Sequence, residues 1–345
     1  MLEGRVVRAF TTLCPWLREP LATLEAAAAA GRLGHGWLLS GPRDVGKRNL
    51  AYILADRLLD GRTGAAPPDE ADAAETVARY AELAESPDLH PDLYRLRAEE
   101  DKRSIQVEQI RNLITDLALT PHRAGLKVVV IEEAESMTTG AANALLKSLE
   151  EPTPNTYLFL LAERPGWLPA TIRSRCQQLA IRPPAPETAA AWLRDTGGTT
   201  GHLPRALLSR SPLAAARALL EEGNTNNYKK IYDNIDNLYE GRSDPHSLAE
   251  SWQKTDPELG LSCLIDSLAA RIRGRLVPER WTPVTESGAA FADNSESDIS
   301  TEILFEGLAT AEKLREQLGR GINVELALRA LLLGLEPTRT GRSNS

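Results

Sequence analysis

Residues 36–59 read GWLLSGPRDVGKRNLAYILADRLL and carry the strongest structural signal in the chain. The first five residues are a short apolar run that predicts a strand, and Lys47 to Leu59 predict the helix that follows. The loop between them matches G-x-x-x-x-G-K, the pattern of a phosphate-binding loop. In such a loop, backbone N–H groups and the helix N-terminus point at phosphate oxygens. Gly41, Gly46 and Lys47 are therefore candidate nucleotide-binding residues.

Apolar runs alternate with helical patterns through the first half of the chain, which is typical of a parallel sheet covered by helices. Further strands are predicted at residues 127–131, 156–162 and 178–181. Apolar residues from Ile105 to Leu117 recur at spacings of three and four, which predicts one helical face.

A third helix is predicted from the segment GAANALLKSLEE, residues 140–151. Thr138 or Thr139 precedes it as a candidate N-cap, and Pro152 ends it because proline cannot continue the hydrogen-bond ladder. Together, these patterns predict an α/β fold with a phosphate-binding loop.

The position after Lys47 departs from the usual pattern. A Ser or Thr hydroxyl ligates Mg²⁺ there, whereas this chain has Arg48, whose guanidinium has no lone pair to donate and repels a cation. The strand ending at residue 131 leads into Glu132 and Glu133, an acidic pair of the kind that holds Mg²⁺ and polarises water, although Asp is usual at the first position. Taken singly, Lys47, Glu132 and Glu133 are equally compatible with exposed surface charges. Together they indicate a degenerate nucleotide site in which hydrolysis suffers most.

Changes in composition divide the chain into units. The proline-rich segment RPPAPE at residues 182–187 predicts a linker, and strand patterns stop at about residue 210. Residues 60–75 and 278–300 are predicted loops. The predicted units are a P-loop domain at 1–182, a small helical lid domain at 183–210, an all-helical oligomerisation domain at 211–337 and a tail at 338–345.

Composition excludes several classes of protein. The 345 residues include 40 basic and 48 acidic side chains and are 42% hydrophobic, which suits a folded chain and excludes low-complexity disorder. A net charge of −8 argues against a surface that wraps duplex DNA, because phosphate contacts need clustered Lys and Arg. No run reaches the ~18 to 20 apolar residues that cross a bilayer. We therefore expect a cytoplasmic protein with no membrane partner.

Several longer motifs carry a resemblance to one family. The segments LLKSLEEP at residues 145–152 and TIRSRC at 171–176 closely resemble bacterial clamp-loader subunits of the AAA+ superfamily. Further matches narrow the resemblance to the delta prime subunits of DNA polymerase III. These matches lie at residues 15–17, 90–94, 141–147, 174–176 and 201–207. The resemblance covers residues 1 to about 210 well, and the remainder only in pattern, through INVELAL at 322–328.

The resemblance implies an architecture and a role. The family combines an AAA+ P-loop fold, a small helical lid and an all-helical collar. Its delta prime subunit is the non-motor stator of a clamp loader within the DNA polymerase III holoenzyme. Gamma or tau subunits hydrolyse ATP there, and the assembly, which includes delta, sets the sliding clamp on primed DNA.

The same resemblance implies a site residue. In that family, the Ser-Arg-Cys motif supplies an arginine finger to the ATP site of the adjacent subunit, which implies that Arg175 acts in trans. Such a finger stabilises charge on the transferred phosphoryl group. Cys176 would then be a small buried side chain, and Arg173 either assists Arg175 or caps the preceding turn. The alternative for Arg175 is a surface salt bridge.

This sequence differs from many family members at positions that bind zinc or ATP. Many relatives carry four cysteines of a zinc module between the loop helix and the His-Pro-Asp segment, but residues 60–92 contain none. Zinc is therefore predicted absent. Ala162 stands where a polar side chain usually senses the γ-phosphate, and Pro204 stands where active subunits have arginine, with Arg205 one step along. With Arg48, these residues predict little or no intrinsic ATPase activity and no required cofactor; binding of ATP or ADP stays open.

Two other functions are alternatives to the stator role. A gamma- or tau-type subunit would hydrolyse ATP by itself. An initiator or helicase-loader ATPase would add a basic DNA-reading module, and residues 210–345 show neither a helix-turn-helix pattern nor a lysine-rich block.

Overall fold

The computed structural model describes residues 13–61, 90–99, 102, 104–122, 125–195, 203–220, 224–277, 299–318 and 322–336. The chain forms two compact units with a boundary between Pro184 and Ala185, inside the predicted linker. The predicted tail and most of the two predicted loops lie outside the described residues. A further division at residue 210 stays a prediction.

The first unit is built on a five-stranded parallel sheet with the order β2-β3-β4-β1-β5. The strands are β1 (Gly36–Ser40), β2 (Leu93–Leu96), β3 (Lys127–Ile131), β4 (Thr156–Ala162) and β5 (Gln177–Ala180). The helices of this unit are α1 (Arg18–Ala29), α2 (Lys47–Leu59), α3 (Val107–Leu117), α4 (Thr139–Glu150) and α5 (Ala170–Arg173).

Helices bury the central strands. All five residues of β3 are buried, as expected for a β-branched strand in a parallel sheet covered on both sides. Alternate residues of β3 and β4 join one core with α3 and α4, while α2 packs against the same two strands and is itself buried along most of its length. The three longer predicted strands have the predicted bounds, and β5 lies one residue earlier than predicted.

The prediction for α3 was wrong at its first residue. Ile105 lies outside the helix and forms an isolated bridge with Met137. Its backbone N–H donates to Ser136 O at 3.1 Å, and the helix begins only after Gln106, whose N–H donates to Gln109 Oε1 at 2.9 Å. Ile105 is buried all the same, so the apolar spacing reflected burial and not helical position.

The N-cap of α4 is Thr138, one of the two candidates. Its Oγ1 accepts a hydrogen bond from the Ala141 N–H at 3.2 Å, which satisfies one of the unpaired donors at the helix start.

The described part of the second unit consists of helices joined by turns. These are α6 (Pro186–Asp195), α7 (Arg205–Arg210), α8 (Pro212–Leu220), α9 (Asn224–Tyr239), α10 (Pro245–Lys254), α11 (Pro257–Leu276), α12 (Thr301–Gln317) and α13 (Val324–Leu333). Tyr228, Tyr232, Ile235 and Leu238 form the buried face of α9, and α11 packs against both α9 and α12. Among the described helices, none is long and apolar enough to span a bilayer.

Candidate functional site

The phosphate-binding loop connects the carboxyl end of β1 to α2. Lys47 Nζ donates to the loop's own carbonyls, to Gly41 O at 2.8 Å and Pro42 O at 2.7 Å. The loop packs against the turn at Pro15–Leu17, because Trp16 Nε1 donates to Val45 O at 2.8 Å. Gly46 has φ 100°, and a Cβ there would lie 2.7 Å from Leu17 Cδ1, so a glycine is required.

Negative charges surround the lysine of this loop. Burial lowers the pKa of Lys47, and the carboxylates of Glu163, Glu135 and Asp44 partly offset that lowering. Glu135 Oε1 is held in place by the backbone N–H groups of Glu163, at 2.7 Å, and Arg164, at 3.1 Å. These carboxylates would repel the phosphates of a nucleotide, so the electrostatic field here is less favourable than the loop pattern alone suggests.

Glu132, at the carboxyl end of β3, is bound from three sides. Arg48 Nε lies 3.1 Å and Arg95 Nε 3.0 Å from Glu132 Oε1, and Arg95 Nη2 donates to Oε2 at 3.3 Å. Tyr52 OH donates to Oε1 at 2.7 Å. Burial, followed by the charge of Glu132, raises the pKa of Tyr52, so the phenol stays a donor. The side chain of Glu132 is only 13% exposed, and two guanidinium groups neutralise its charge.

These residues do not fit a Mg²⁺ ion. Mg²⁺ requires oxygen ligands in near-octahedral geometry, but the hydroxyl position is Arg48 and the first carboxylate is already bound by two arginines. Glu133 is exposed, and its backbone has φ 50°, where a short turn begins. Ala162 is buried at the end of β4 and offers only its carbonyl, which accepts from Gly41 N at 3.2 Å. Within the described ranges, no group of three or more His, Cys, Asp or Glu side chains could hold a metal ion.

Sequence reasoning missed two members of this cluster, Arg95 and Tyr52. Tyr52 lies four residues after Arg48, so both occupy one face of α2, and that spacing was a usable signal. Arg95 lies in β2, a strand that was not predicted, so the sequence carried no signal that would place it beside Glu132.

Arg175 lies at the amino ends of the strands, opposite the end of the sheet that carries the phosphate-binding loop. It precedes β5, whose Gln177 pairs with Trp37 near the start of β1, whereas the phosphate-binding loop follows the end of β1. The five residues of β1, at ~3.3 Å each, separate the amino and carboxyl ends of this strand by about 16 Å. Arg175 therefore does not reach the loop of its own chain.

The Arg175 side chain is held at the surface by α4. Its Nε donates to Glu150 Oε1 at 2.7 Å, and its Nη1 donates to Thr171 O at 3.0 Å. The arginine and glutamate side chains are 35% and 48% exposed. An exposed pair of this kind contributes roughly 0 to 1 kcal/mol, so a stronger anion can displace Glu150.

Arg205, next to Pro204, is engaged inside the second unit. Its guanidinium pairs with Glu187 of α6, and its backbone N–H donates to Asp266 of α11. Both interactions connect α7 to its neighbouring helices.

Cys176 follows Arg175 and is buried in the core beneath β5. It is 8% exposed, and burial raises the pKa of its thiol to about 11. At pH 8 the thiolate fraction is therefore about a hundredfold lower than in an ordinary cysteine with a pKa of 9.0.

We expect iodoacetamide to alkylate Cys176 at pH 8 at least about a hundredfold more slowly than it alkylates a free thiol. Mass spectrometry of the modified peptide measures the rate, and the same reaction in denaturant provides the control. Equal rates with and without denaturant would contradict the burial of this thiol.

Comparison with known proteins agrees with these features. The family profile described as "DNA polymerase III, delta subunit" matches residues 17–185. The chain is 34% identical to DNA polymerase III subunit delta' of Pseudomonas aeruginosa, over 81% of each chain. It is 28% identical to the subunit of the same name in Haemophilus influenzae, over 92% of this chain and 95% of that one. It is also 32% identical to DNA polymerase III subunit tau of Escherichia coli, over 47% of this chain and 24% of tau.

The parallel sheet, the phosphate-binding loop and the acidic pair after β3 together form an AAA+ P-loop fold, as the sequence predicted. The extent of the match to the Pseudomonas subunit reaches well past this fold into the helical second unit. The chain belongs to the family of DNA polymerase III delta prime subunits, which are clamp-loader proteins of DNA replication.

Proposed function

We propose that this chain is the non-motor stator of its clamp loader: it does not turn over ATP and supplies Arg175 to the ATP site of a neighbouring subunit. The observation that carries the proposal is the binding of Glu132 by Arg48, Arg95 and Tyr52. A carboxylate held by two cations and a phenol has little capacity left for a metal ion.

The cluster disfavours a motor role on electrostatic grounds. Bringing Mg²⁺ to Glu132 would place a divalent cation beside two guanidinium groups, and separating the carboxylate from them would leave the buried guanidinium of Arg95 unpaired. Arg95 is itself only 9% exposed, so it has no ready alternative in water. A gamma- or tau-type subunit needs the carboxylate at this position free to bind Mg²⁺.

The position of Arg175 supports the second half of the proposal. It lies at the amino ends of the strands, away from its own phosphate-binding loop. It is partly exposed and forms an ion pair with the exposed Glu150. A triphosphate offers more charge and more acceptor oxygens than one carboxylate, and guanidinium groups bind phosphate in bidentate fashion. The ATP of an adjacent subunit can therefore replace Glu150 as the partner of Arg175.

We further propose gamma or tau and delta as its partners, with the sliding clamp and primed DNA contacted through the assembly. The helices of residues 211–337 would form the oligomerisation domain. Exposed apolar side chains on α12 and α13 support this role, because such residues often mark interfaces. They are Phe305, Leu326 and Leu333, which are 48%, 64% and 44% exposed.

The proposal is tested by the nucleotide content and ATP turnover of the purified chain, alone and with the other loader subunits. We expect no turnover by the chain alone with Mg²⁺ present, and stimulation when it joins the complex. Sustained hydrolysis by the isolated chain would overturn the stator role.

The variant Arg48→Thr restores the missing hydroxyl and removes one guanidinium from Glu132. We expect its Mg²⁺-dependent affinity for ADP to rise by about ten- to a hundredfold, the range over which outer-shell groups change metal affinity. Titration with a fluorescent ADP analogue, with and without Mg²⁺, measures the change.

Arg43→Thr is the matched control for this variant, because Arg43 is an exposed arginine of the same loop that pairs only weakly with Asp44, at 4.0 Å. Equal affinities in the two variants would mean that loss of positive charge, and not release of Glu132, governs nucleotide binding.

A further inference from the structure

A short segment crosses from the carboxyl end of β4 to the amino end of β5. One side of it is buried in the core against α4 and the sheet, through Leu168, Ile172 and Cys176. The residues between these three buried side chains are mostly exposed.

The exposed residues of this segment include Trp167, Thr171 and Arg175. Trp167 is 58% exposed, Thr171 is exposed, and the Arg175 guanidinium donates to the Thr171 carbonyl at 3.0 Å. The indole and the guanidinium are therefore both exposed on one short segment that buried side chains anchor in the core.

Neighbouring residues position the Trp167 side chain although it is exposed. Pro165 begins the turn that carries it, and the buried Leu168 anchors the next position. The Arg164 guanidinium lies 4.5 Å from the centroid of the indole ring, while the Arg164 backbone N–H donates to Glu135 Oε1 at 3.1 Å. A large aromatic side chain fixed in this way loses little conformational entropy on binding.

We propose that Trp167 is a contact residue of the protein interface through which Arg175 reaches the neighbouring ATPase subunit. The partner is a protein surface with an apolar patch for the indole, next to the nucleotide that receives the guanidinium. The inference rests on the proposed function of Arg175, because a protein surface that receives Arg175 also approaches the other exposed residues of this short segment, Trp167 among them. Tryptophan is among the residues that dominate binding energy at such interfaces.

A nucleic-acid partner is the weaker alternative. Platforms for single-stranded DNA combine aromatic side chains with a basic groove along the backbone. Here the exposed neighbours of Trp167 and Arg175 include the carboxylates of Glu163 and Glu150, and Arg175 is paired with Glu150. The mixed charge favours a protein surface.

The test titrates the full-length chain into the remaining loader subunits and follows DNA-stimulated ATP hydrolysis. For Trp167→Ala, we expect the half-saturating concentration to rise by about thirtyfold, a typical loss for a central interface tryptophan, while the rate at saturation stays that of wild type. The melting temperature should be unchanged because the indole is exposed.

Leu119→Ala is the matched control, since Leu119 is 59% exposed just beyond α3; we expect its half-saturating concentration to stay at the wild-type value. A Trp167→Ala value equal to that of the control would overturn the proposal. So would weaker binding of a fluorescein-labelled oligo(dT) by Trp167→Ala with unchanged half-saturation, which would assign the tryptophan to nucleic acid.

The two proposals fail in different measurements. Loss of the finger role would appear as an unchanged saturated rate in Arg175→Ala, whereas loss of the interface role would appear as an unchanged half-saturating concentration in Trp167→Ala.

Discussion

Replacing Arg175 with alanine is expected to slow ATP hydrolysis about a thousandfold at the one site that this residue completes, with assembly intact. In the proposed role, the guanidinium stabilises negative charge that develops on the phosphoryl group, and alanine offers no positive charge in its place. Sites that other subunits complete would keep their own activity. Single-turnover kinetics of the reconstituted complex should therefore lose one fast phase, while gel filtration shows an unchanged complex.

Two companion variants sharpen this test. Arg175→Lys keeps the charge but loses the planar fork that binds phosphate in bidentate fashion, so we expect only partial recovery. Glu150→Gln removes the carboxylate that competes for Arg175 and should leave the fast phase in place. An Arg175→Ala complex that retains every phase would exclude the finger role.

Replacing Lys127 with methionine is expected to lower the free energy of unfolding of the first unit by about 4 kcal/mol. Lys127 begins β3 and is 1% exposed. Its Nζ donates to Asp116 O at 3.1 Å, to Leu117 O at 2.9 Å and to Leu119 O. These carbonyls lie in the last turn of α3 and just beyond it, where the helix supplies few donors, although Asp116 O also accepts from the Leu119 N–H at 3.2 Å. Methionine has a similar length but no donor, so the carbonyl of the buried Leu117 and the two partly buried carbonyls beside it would lose the ammonium group.

Urea denaturation followed by circular dichroism measures the loss, and hydrogen exchange should localise it to α3 and β3. Lys102→Met is the control, because Lys102 forms an exposed pair with Glu99 and should cost no more than about 1 kcal/mol. Similar shifts in the two variants would refute the capping role of Lys127.

Part of the fold could be predicted because single segments carry it. The strands β1, β3 and β4 are continuous apolar runs, and strands buried on both faces have that composition. β2 escaped prediction because its four residues, LYRL, include an arginine, and only Leu96 is buried. The composition of β2 therefore does not predict a strand, and its backbone is extended because it forms hydrogen bonds with β3.

Part of the candidate site could likewise be predicted from the sequence, and part could not. Gly41, Gly46, Lys47 and the acidic pair after β3 could be found because each lies at a fixed distance from a strand end. The loss of the hydroxyl at Arg48 is also visible in the sequence. Whether Arg48 points into solvent or binds a carboxylate depends on residues that are distant in the chain.

The sequence alone determined the fold class, the phosphate-binding loop and the family, because these depend on local patterns and on short motifs. Only the tertiary structure joined Arg48, Tyr52 and Arg95 on Glu132, and only the parallel pairing of β1 with β5 placed Arg175 at the amino ends of the strands, opposite the phosphate-binding loop. The reason is that ion pairs and strand pairing are set by contacts between segments far apart in the chain, which no single segment encodes.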